Sequence, residues 1–593
     1  MQLKIIVFHA RDIFKIKKSF GEKNFSWIYL GKKTKQLERI NYWLGAEKSF
    51  FLDDLLQKKA YENRQTFLDF ISNLGFHQNN QLSWWASNIS YRNPLTNDLY
   101  LLFCYECIFK EILSGEKPNN TSFIIFIVED QWLYKHLFEK YRDAAEFSGR
   151  KSVLPELIKL MARGFFSRAY FFLTATFKCL INTFCLSDKN TVEGNHFIIS
   201  WIEDSFFNDQ KYDNKYFNKI EEVFNDERIK FSYITTLSVS RKLKSLCKKH
   251  GVNIFLDNYI NLISVARAAF STFRISKSNG EFFSYKTLLN REEVYEFSKS
   301  SFLLNLLYYY AFNNLLSRFT GKQIKIIYLF ENQPWEKMLC LAVKDKRAGA
   351  ELIGYQHSTV PTLLLNYFLG KREEEIIPKP NILVTNSDYN LDLLKNSGYG
   401  KLPMHNGGAL RYEYLFHIKR KSDSEINAVK KVLIALPSSV ELTEEMITVL
   451  LTSFSSLNGN IRFIVKFHPD IQMNSFKLGV LPEHISVARE KISHYLPEIS
   501  LAVYSSSTVG LEALLAGVPV IKYYSEHLLD LDPLDAVSDL PVLKCSGKNM
   551  RDQILLALGK NYSFAETEID LKRYFAPIDV ETWKNILTTK KAS

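Results

Sequence analysis

The stretch LAVYSSSTVGLEALLAGVPVIKYY, residues 501–524, decides the fold class of this chain. Its first four residues are apolar, which predicts a buried strand over Leu501–Tyr504. The hydroxyl residues 505–508 then open a helix that Gly517 ends, and a second strand follows at 520–523. A strand, a helix and another strand at this spacing predict a parallel sheet wound with helices.

The same alternation continues on both sides of this stretch. Short apolar runs at 432–436, 462–467 and 485–488 predict further strands of the same sheet. Another series upstream predicts strands at 324–330, 351–355 and 382–384. The sequence therefore predicts an α/β fold with two facing Rossmann-like doubly wound domains.

Two isolated apolar runs near the N-terminus, at 3–8 and 123–128, are also predicted to be strands, and we assign them to the first of these domains. Residues 1–149 and 301–428 are then the N-terminal Rossmann-like, acceptor-side domain. We expect 150–300 to be a mostly helical insertion, 429–570 to be the C-terminal nucleotide-binding domain, and 571–593 to return to the first domain.

Composition limits the function classes. The chain has 593 residues, of which 46% are hydrophobic, so several packed cores are expected. A net charge of +12 favours anionic partners, but no nucleic-acid-binding motif accompanies it, and we expect no nucleic acid partner. Seven scattered cysteines and an N-terminus without a signal-peptide pattern predict a cytoplasmic protein.

Residues 154–186 form a long aromatic-rich run that Arg168 and Lys178 interrupt. Its polar residues fall loosely on one half of a helical wheel. Three structures fit this pattern: a basic amphipathic helix lying on an anionic inner-membrane surface, a buried core helix, and a membrane-spanning helix. The protein is thus expected to be either cytoplasmic or peripherally membrane-associated.

The hydroxyl cluster suggests a binding site. The first turn of a helix offers free backbone N–H groups, and side-chain hydroxyls add donors, so such a turn suits phosphate. One serine would suffice for ordinary capping. We therefore assign nucleotide binding to the four consecutive residues of the cluster, Ser505, Ser506, Ser507 and Thr508.

A second candidate follows another predicted strand of the same domain. In Lys466-Phe-His468-Pro469, the imidazole and the ammonium lie where strand ends face the ligand crevice of an open α/β sheet. Both groups can donate to a phosphate. Arg411, near the predicted domain junction, can pair with a phosphate or with a sugar carboxylate.

His468-Pro469 on one loop and the hydroxyl cluster on the next resemble the nucleotide-binding motifs of bacterial sialyltransferases, polysialyltransferases and β-Kdo transferases. They are also similar to those of the polyol-phosphate transferases of teichoic acid synthesis. The resemblance covers about 430–575 and implies a metal-independent GT-B glycosyltransferase. It also implies that His468 and residues 505–508 contact a cytidine nucleotide.

Three further segments, at 331–337, 354–360 and 409–412, resemble a bacterial surface-carbohydrate biosynthesis family. This resemblance implies polysaccharide or glycolipid assembly, with a nucleotide sugar as donor and a glycan or glycolipid as acceptor. It does not fix the reaction. The favoured donor is a cytidine monophosphate ulosonate, Kdo or a sialic-acid-like sugar.

Glu331 and His357 are the candidate catalytic residues, because each follows a strand of the first domain. A carboxylate there can act as general base on an acceptor hydroxyl. Glu129 and Asp130 are rival acids, since they resemble the acidic pair that is the base of polysialyltransferases. Gln131 stands where that family has glycine. Glu512 is a further acidic candidate.

No cofactor and no metal are expected. The D-x-D element Asp530-Leu-Asp532 lies in a segment predicted to be irregular, and we interpret it as surface or hinge. Three alternatives to a glycosyltransferase stay open: a cytidine diphosphate polyol phosphotransferase, a nucleotide-sugar epimerase and a non-catalytic assembly subunit. The first would use the same nucleotide motifs.

Overall fold

The computed structural model describes residues 4–589 with internal gaps. Outside the described part lie residues 1–3, 22, 51, 79, 116–122, 186–193, 208–211, 218, 221–223, 225–228, 238–239, 251, 253, 277–279, 347–348, 419–428, 457–459, 472, 474–475, 477–479, 536–541, 560–572 and 590–593. The described strands form three parallel sheets, and helices connect and cover them. The predicted α/β class with parallel, doubly wound sheets is confirmed.

The first sheet is small and lies near the N-terminus. Its strands are β1 (Lys4–His9), β2 (Phe25–Leu30), β3 (Phe123–Val128) and β4 (Glu146–Ser148), in the order β2-β3-β1-β4. The runs 3–8 and 123–128, assigned to the same domain as 324–384, thus form a sheet of their own, which one hydrophobic core joins to the sheet of 324–385. Both strands pair with β2 or β4, and the aromatic β2 was not recognised because its residues do not alternate clearly.

The second sheet has seven strands. They are β5 (His196–Ser200), β6 (Phe231–Thr235), β7 (Ile254–Phe255), β8 (Ile324–Leu329), β9 (Ala350–Tyr355), β10 (Ile382–Thr385) and β11 (Met404–Asn406). In the order β11-β10-β9-β8-β5-β6-β7 all neighbouring strands are parallel, and the sequence order of the strands reverses between β5 and β8. The segment 150–300 is mostly helical, as predicted, but it is not an insertion, since it supplies three strands of the second sheet. The runs of β6 and β7 are too short or too polar for periodicity to show that they belong to this sheet.

The third sheet has six strands. They are β12 (Lys430–Ala435), β13 (Ile461–Lys466), β14 (Ile485–Val487), β15 (Leu501–Tyr504), β16 (Val520–Tyr523) and β17 (Leu543–Cys545). The order β14-β13-β12-β15-β16-β17 is that of a Rossmann fold. The strand order reverses between β12 and β15, so the hydroxyl cluster after β15 lies at the point where such sheets bind ligands.

Helices fill the space between the strands. In the described residues the α-helices are Ile13–Phe20, Thr34–Leu44, Asp53–Phe76, Gln81–Trp85, Asn88–Tyr91, Leu99–Ser114, Gln131–Tyr141, Leu154–Cys185, Arg241–Lys249, Leu262–Phe270, Gly280–Phe283, Lys286–Ser298, Ser301–Leu316, Pro334–Lys346, Asp388–Leu394, Val440–Ser453, Ile492–Tyr495, Val509–Leu515, Met550–Gly559 and Val580–Thr588. One hydrophobic core joins the first sheet, the helices around it and one face of the second sheet. The third sheet has cores of its own.

The last helix, Val580–Thr588, packs on the second sheet rather than on the third. Trp583 is buried against Tyr355 of that sheet, and its indole N–H donates to the carbonyl of Gly407 at 2.9 Å. The Lys325 ammonium donates to the carbonyl of Thr589 at 2.8 Å. The chain thus crosses from the third sheet back to the second at its C-terminal end.

The aromatic-rich run at 154–186 is a single long helix, Leu154–Cys185. One side packs against the helices Lys286–Ser298 and Leu262–Phe270. Its buried residues include Leu160 and Phe171, whereas Phe166 on the other side is 77% exposed. A fully buried core helix is therefore excluded. Among the described residues, no helix combines the length and the apolar character that crossing a bilayer requires.

Candidate functional site

Glu331 and His357 lie together at the carboxyl ends of neighbouring strands. Glu331 follows β8, next to the position where the second sheet reverses its strand order, and His357 follows β9. The His357 Nε2 is 2.9 Å from Glu331 Oε1, so the ring donates to the carboxylate. His357 is buried, whereas the Glu331 side chain is 31% exposed. The carboxylate is therefore both oriented and reachable.

The loop that carries Glu331 is held by hydrogen bonds between side chains and backbone groups. Asn332 has a left-handed backbone with φ +54°, and its side-chain amide donates to the carbonyl of Asn366 at 2.6 Å. In return the Asn366 amide donates to the carbonyl of Glu331 at 2.8 Å. Both oxygens of Glu336 accept from the Glu331 N–H, at 3.1 and 3.2 Å. Glu331 therefore sits on a pre-organised turn.

This turn makes a stability prediction. Asn332→Ala loses the bond to Asn366 and leaves alanine in a left-handed backbone conformation that asparagine tolerates better. Asn332→Gly loses the same bond without the backbone strain. We expect the alanine variant to be less stable than the glycine variant by about 1 kcal/mol in urea unfolding. Equal stability of the two variants would show that the turn is unstrained.

The surroundings of Glu331 and Glu336 move their pKa values in opposite directions. Burial raises the pKa of Glu331, but the hydrogen bond and charge of His357 and the nearby Arg411 outweigh it and lower the pKa. Burial and the neighbouring Glu331 charge raise the pKa of Glu336 well above its usual value. Two carboxyl groups with separated pKa values allow Glu331 alone to be ionised, as a general base must be.

Arg411 connects the two halves of the molecule. Its guanidinium lies over the rings of Tyr216 and Tyr412, at 5.2 and 5.3 Å from their centroids. Its charge lowers the pKa of Glu331 on one side and, together with burial, that of His468 on the other. The Arg411 charge therefore acts both on Glu331, after a strand of the second sheet, and on His468, after a strand of the third.

The hydroxyl cluster is partly accessible and partly engaged. Ser505 is buried, whereas the other three residues are partly exposed. Ser506 has φ +45°, and its Oγ accepts from the Leu531 N–H at 3.3 Å. The Ser507 Oγ accepts from the Val509 N–H at 3.3 Å. Residues 506–508 thus keep part of their surface accessible after the carboxyl end of β15, whereas Ser505 belongs to the packing.

Glu512 has a supporting role in this arrangement. It accepts from the Thr508 hydroxyl at 3.0 Å and from the Tyr414 hydroxyl, which fixes Thr508. A Cβ on Gly510 would come within 2.5 Å of the Tyr504 ring, so only glycine lets the helix Val509–Leu515 pack this closely on β15. Glu512 is 5% exposed and therefore not a reachable acid.

His468 and Lys466 differ in their orientation. His468 has a side chain 34% exposed, and its Nδ1 accepts from the Asp470 N–H at 3.3 Å, which leaves Nε2 pointing away from that turn. The Lys466 ammonium donates to the carbonyl of Glu490 at 2.7 Å. His468 is therefore partly exposed, whereas Lys466 is held by the neighbouring loop.

The rival acids are engaged elsewhere. Glu129 accepts from the Tyr29 hydroxyl at 2.5 Å and from the backbone N–H groups of Lys32 and Lys33. Asp130 caps the helix Gln131–Tyr141 and pairs with Arg291 at 3.0 Å. Both carboxylates thus hold the first sheet to its surroundings, and neither lies on the strand ends that carry Glu331.

The interpretation of Asp530 and Asp532 as surface or hinge is wrong. Asp532 is 2% exposed, and both carboxylates pair with the buried Lys522 ammonium, which also meets Asp535 at 2.6 Å. Tyr504 donates to Asp532 at 3.1 Å. This cluster locks β15 and β16 to the segment that follows them.

Sequence reasoning missed three residues of the site: Tyr216, Asn366 and Tyr412 in its ring-stacking role. Tyr412 stacks on Phe575 at 4.2 Å and approaches the hydroxyls of Ser358 and Thr508. The Tyr216 ring contacts His357 edge-on at 5.2 Å. The sequence alone does not distinguish the two tyrosines, because 31 tyrosines are spread over the chain.

The chain was compared with known proteins, and several solved structures resemble it distantly. No family model and no curated protein matches the chain. A putative UDP-N-acetylglucosamine 2-epimerase from Listeria monocytogenes is 10% identical and covers 68% of this chain and 99% of its own, with a TM-score of 0.42. The lipopolysaccharide outer core galactosyltransferase WaaB is 13% identical over 66% and 98%, with a TM-score of 0.34. The Acinetobacter baumannii MurG is 8% identical over 66% and 99%, with a TM-score of 0.35.

Proposed function

We propose that this chain is a GT-B-type glycosyltransferase that transfers a sugar from a nucleotide donor to a hydroxyl acceptor. One observation carries the proposal. The carboxylate of Glu331, which His357 orients at the switch point of the second sheet, shares the charge of Arg411 with the imidazole of His468, at a strand end of the third. Open α/β sheets bind their ligands at these positions.

In the proposed transfer, Glu331 acts on the acceptor, and Arg411 and residues after strands of the third sheet act on the leaving nucleotide. Glu331 takes the proton of the acceptor hydroxyl while the acceptor oxygen bonds to the anomeric carbon. The bond between that carbon and the phosphate oxygen breaks, and its electron pair stays on the nucleotide. In this proposal Arg411, His468 and the 506–508 hydroxyls stabilise that negative charge.

The favoured donor is a cytidine monophosphate ulosonate, Kdo or a sialic-acid-like sugar, used in bacterial surface polysaccharide or glycolipid synthesis. The support is the resemblance of His468-Pro469 and the hydroxyl cluster to the cytidine-nucleotide motifs of the transferase families named above. A cytidine diphosphate polyol donor would meet the same groups.

A nucleotide thermal-shift screen tests the proposal. Cytidine and uridine mono- and diphosphates are added to the full chain, and the matching nucleotide should raise Tm by about 2–5 °C at saturating concentration. Ser507→Ala should reduce this shift, because the partly exposed Ser507 follows the carboxyl end of β15, where we propose that the nucleotide binds. Ser317→Ala is the control, since Ser317 is exposed at the opposite, amino end of β8. No shift with any nucleotide would end the proposal.

A further inference from the structure

The long helix Leu154–Cys185 carries exposed apolar side chains that nothing in the described structure covers. The set Ile158, Phe166, Tyr170, Leu173, Phe177 and, from the adjoining helix Leu262–Phe270, Phe270 is called the outer face. Each of these side chains is at least 60% exposed. From Ile158 to Phe177 the face is about 28 Å long at the rise of an α-helix. Single exposed apolar residues are common, but a cluster of six on two adjoining helices is not.

The charge around the outer face has one sign. Four of the basic residues on the two helices, Lys159, Arg163, Lys178 and Arg267, are exposed. The fifth, Arg168, donates to the carbonyls of Ala269 and Ser271 and fastens the two helices together. The only acidic residue on either helix is Glu156, which accepts from Tyr295 at the N-terminal end.

We infer that the outer face lies on an anionic lipid surface. Aromatic and aliphatic side chains enter the boundary between headgroups and acyl chains, and flanking lysines and arginines pair with lipid phosphates. A second copy of the chain would meet the same positive charge on both sides, which disfavours self-association through this face. The complementary charge of anionic lipid therefore selects the occupant.

The outer face is mechanically connected to the candidate site. Phe165 and Arg168 pack on Phe297 of the helix Lys286–Ser298. In the same helix Glu296 accepts from the Asn88 N–H at 2.8 Å, and the nearby Ser90 carbonyl accepts from Lys337. Lys337 adjoins Glu336, which holds the Glu331 turn. A lipid-bound helix would thus hold the acceptor side of the site at a fixed position relative to the bilayer.

Vesicle co-sedimentation tests the inference with the full chain. Phosphatidylcholine vesicles with and without phosphatidylglycerol are the two lipid surfaces. We expect binding to the anionic vesicles that weakens as salt is added. Phe166→Ser combined with Phe177→Ser should weaken it at least about tenfold. Lys159→Gln combined with Arg163→Gln should weaken binding to the anionic vesicles about tenfold and leave binding to the neutral ones unchanged.

Tyr42→Ser is the matched control, since Tyr42 is 79% exposed on a different helix and should not affect vesicle binding. All variants should keep the melting temperature and the nucleotide-induced shift of the wild type, which separates this test from that of the proposed function. Wild-type protein that ignores anionic vesicles would overturn the inference. So would lipid-free self-association, seen in sedimentation, that the Phe166 and Phe177 changes abolish.

Discussion

Glu331→Gln is expected to lower the turnover of sugar transfer by about a thousandfold, within the range that general base catalysis supplies. Glutamine keeps the size of the side chain and an oxygen that can accept from His357 Nε2, and it loses only the bond that the Gln333 amide donates to the other oxygen. It removes the one property the reaction needs, a carboxylate that can take a proton. The nucleotide-induced Tm shift should persist, because most of the proposed phosphate contacts belong to residues that follow strands of the third sheet.

Glu129→Gln is the informative comparison for this change. Glu129 is also a partly buried carboxylate that follows a parallel strand, but it belongs to the first sheet, where it accepts from Tyr29 and from the backbone of Lys32 and Lys33. We expect it to change the thermal stability more than the turnover. Transfer assays with the donor identified by thermal shift decide between them. A Glu331→Gln enzyme with near wild-type turnover, beside an inactive Glu129→Gln enzyme, would move the catalytic role to the first sheet.

The sequence predicted the third sheet better than the rest of the fold. The strands β12, β13, β15 and β16 are apolar, regularly spaced and separated by helices with clear starts and stops, so periodicity alone locates them. The strands β2 and β6 are aromatic or hydroxyl-rich, and a helical interpretation fitted them equally well. Without them, the sequence predicts one domain for β1, β3 and β8 and does not show that β1 and β3 belong to a separate sheet.

The candidate site shows the same division between local and non-local information. Its position after strand ends follows from the α/β pattern, because carboxyl ends of parallel strands meet at one edge of a sheet. The bond between His357 and Glu331 needed only that β8 and β9 be neighbours. The Asn332–Asn366 clamp and the Tyr216 contact depend on loops whose paths periodicity does not describe. The sequence also does not show that the Lys466 ammonium donates to the carbonyl of Glu490 in a neighbouring loop.

Replacing Arg411 should produce two changes from one substitution. Arg411→Met removes a charge next to the nucleotide groups, and we expect nucleotide affinity to fall about tenfold to a hundredfold. It also removes one of the interactions that lower the pKa of Glu331, so that pKa rises. The base is active when ionised, and activity is lost as the pH falls through its pKa. The acid limb of the kcat–pH profile should therefore move to higher pH.

Arg411→Lys separates these effects, since it keeps the charge but not the planar group that lies over Tyr216 and Tyr412. Its acid limb should stay close to that of the wild type while nucleotide affinity still falls. A residue with a merely structural role would change stability and leave the acid limb in place. If Arg411→Met weakens nucleotide binding with an unmoved acid limb, Arg411 serves the donor alone, and the electrostatic link to Glu331 has no part in catalysis.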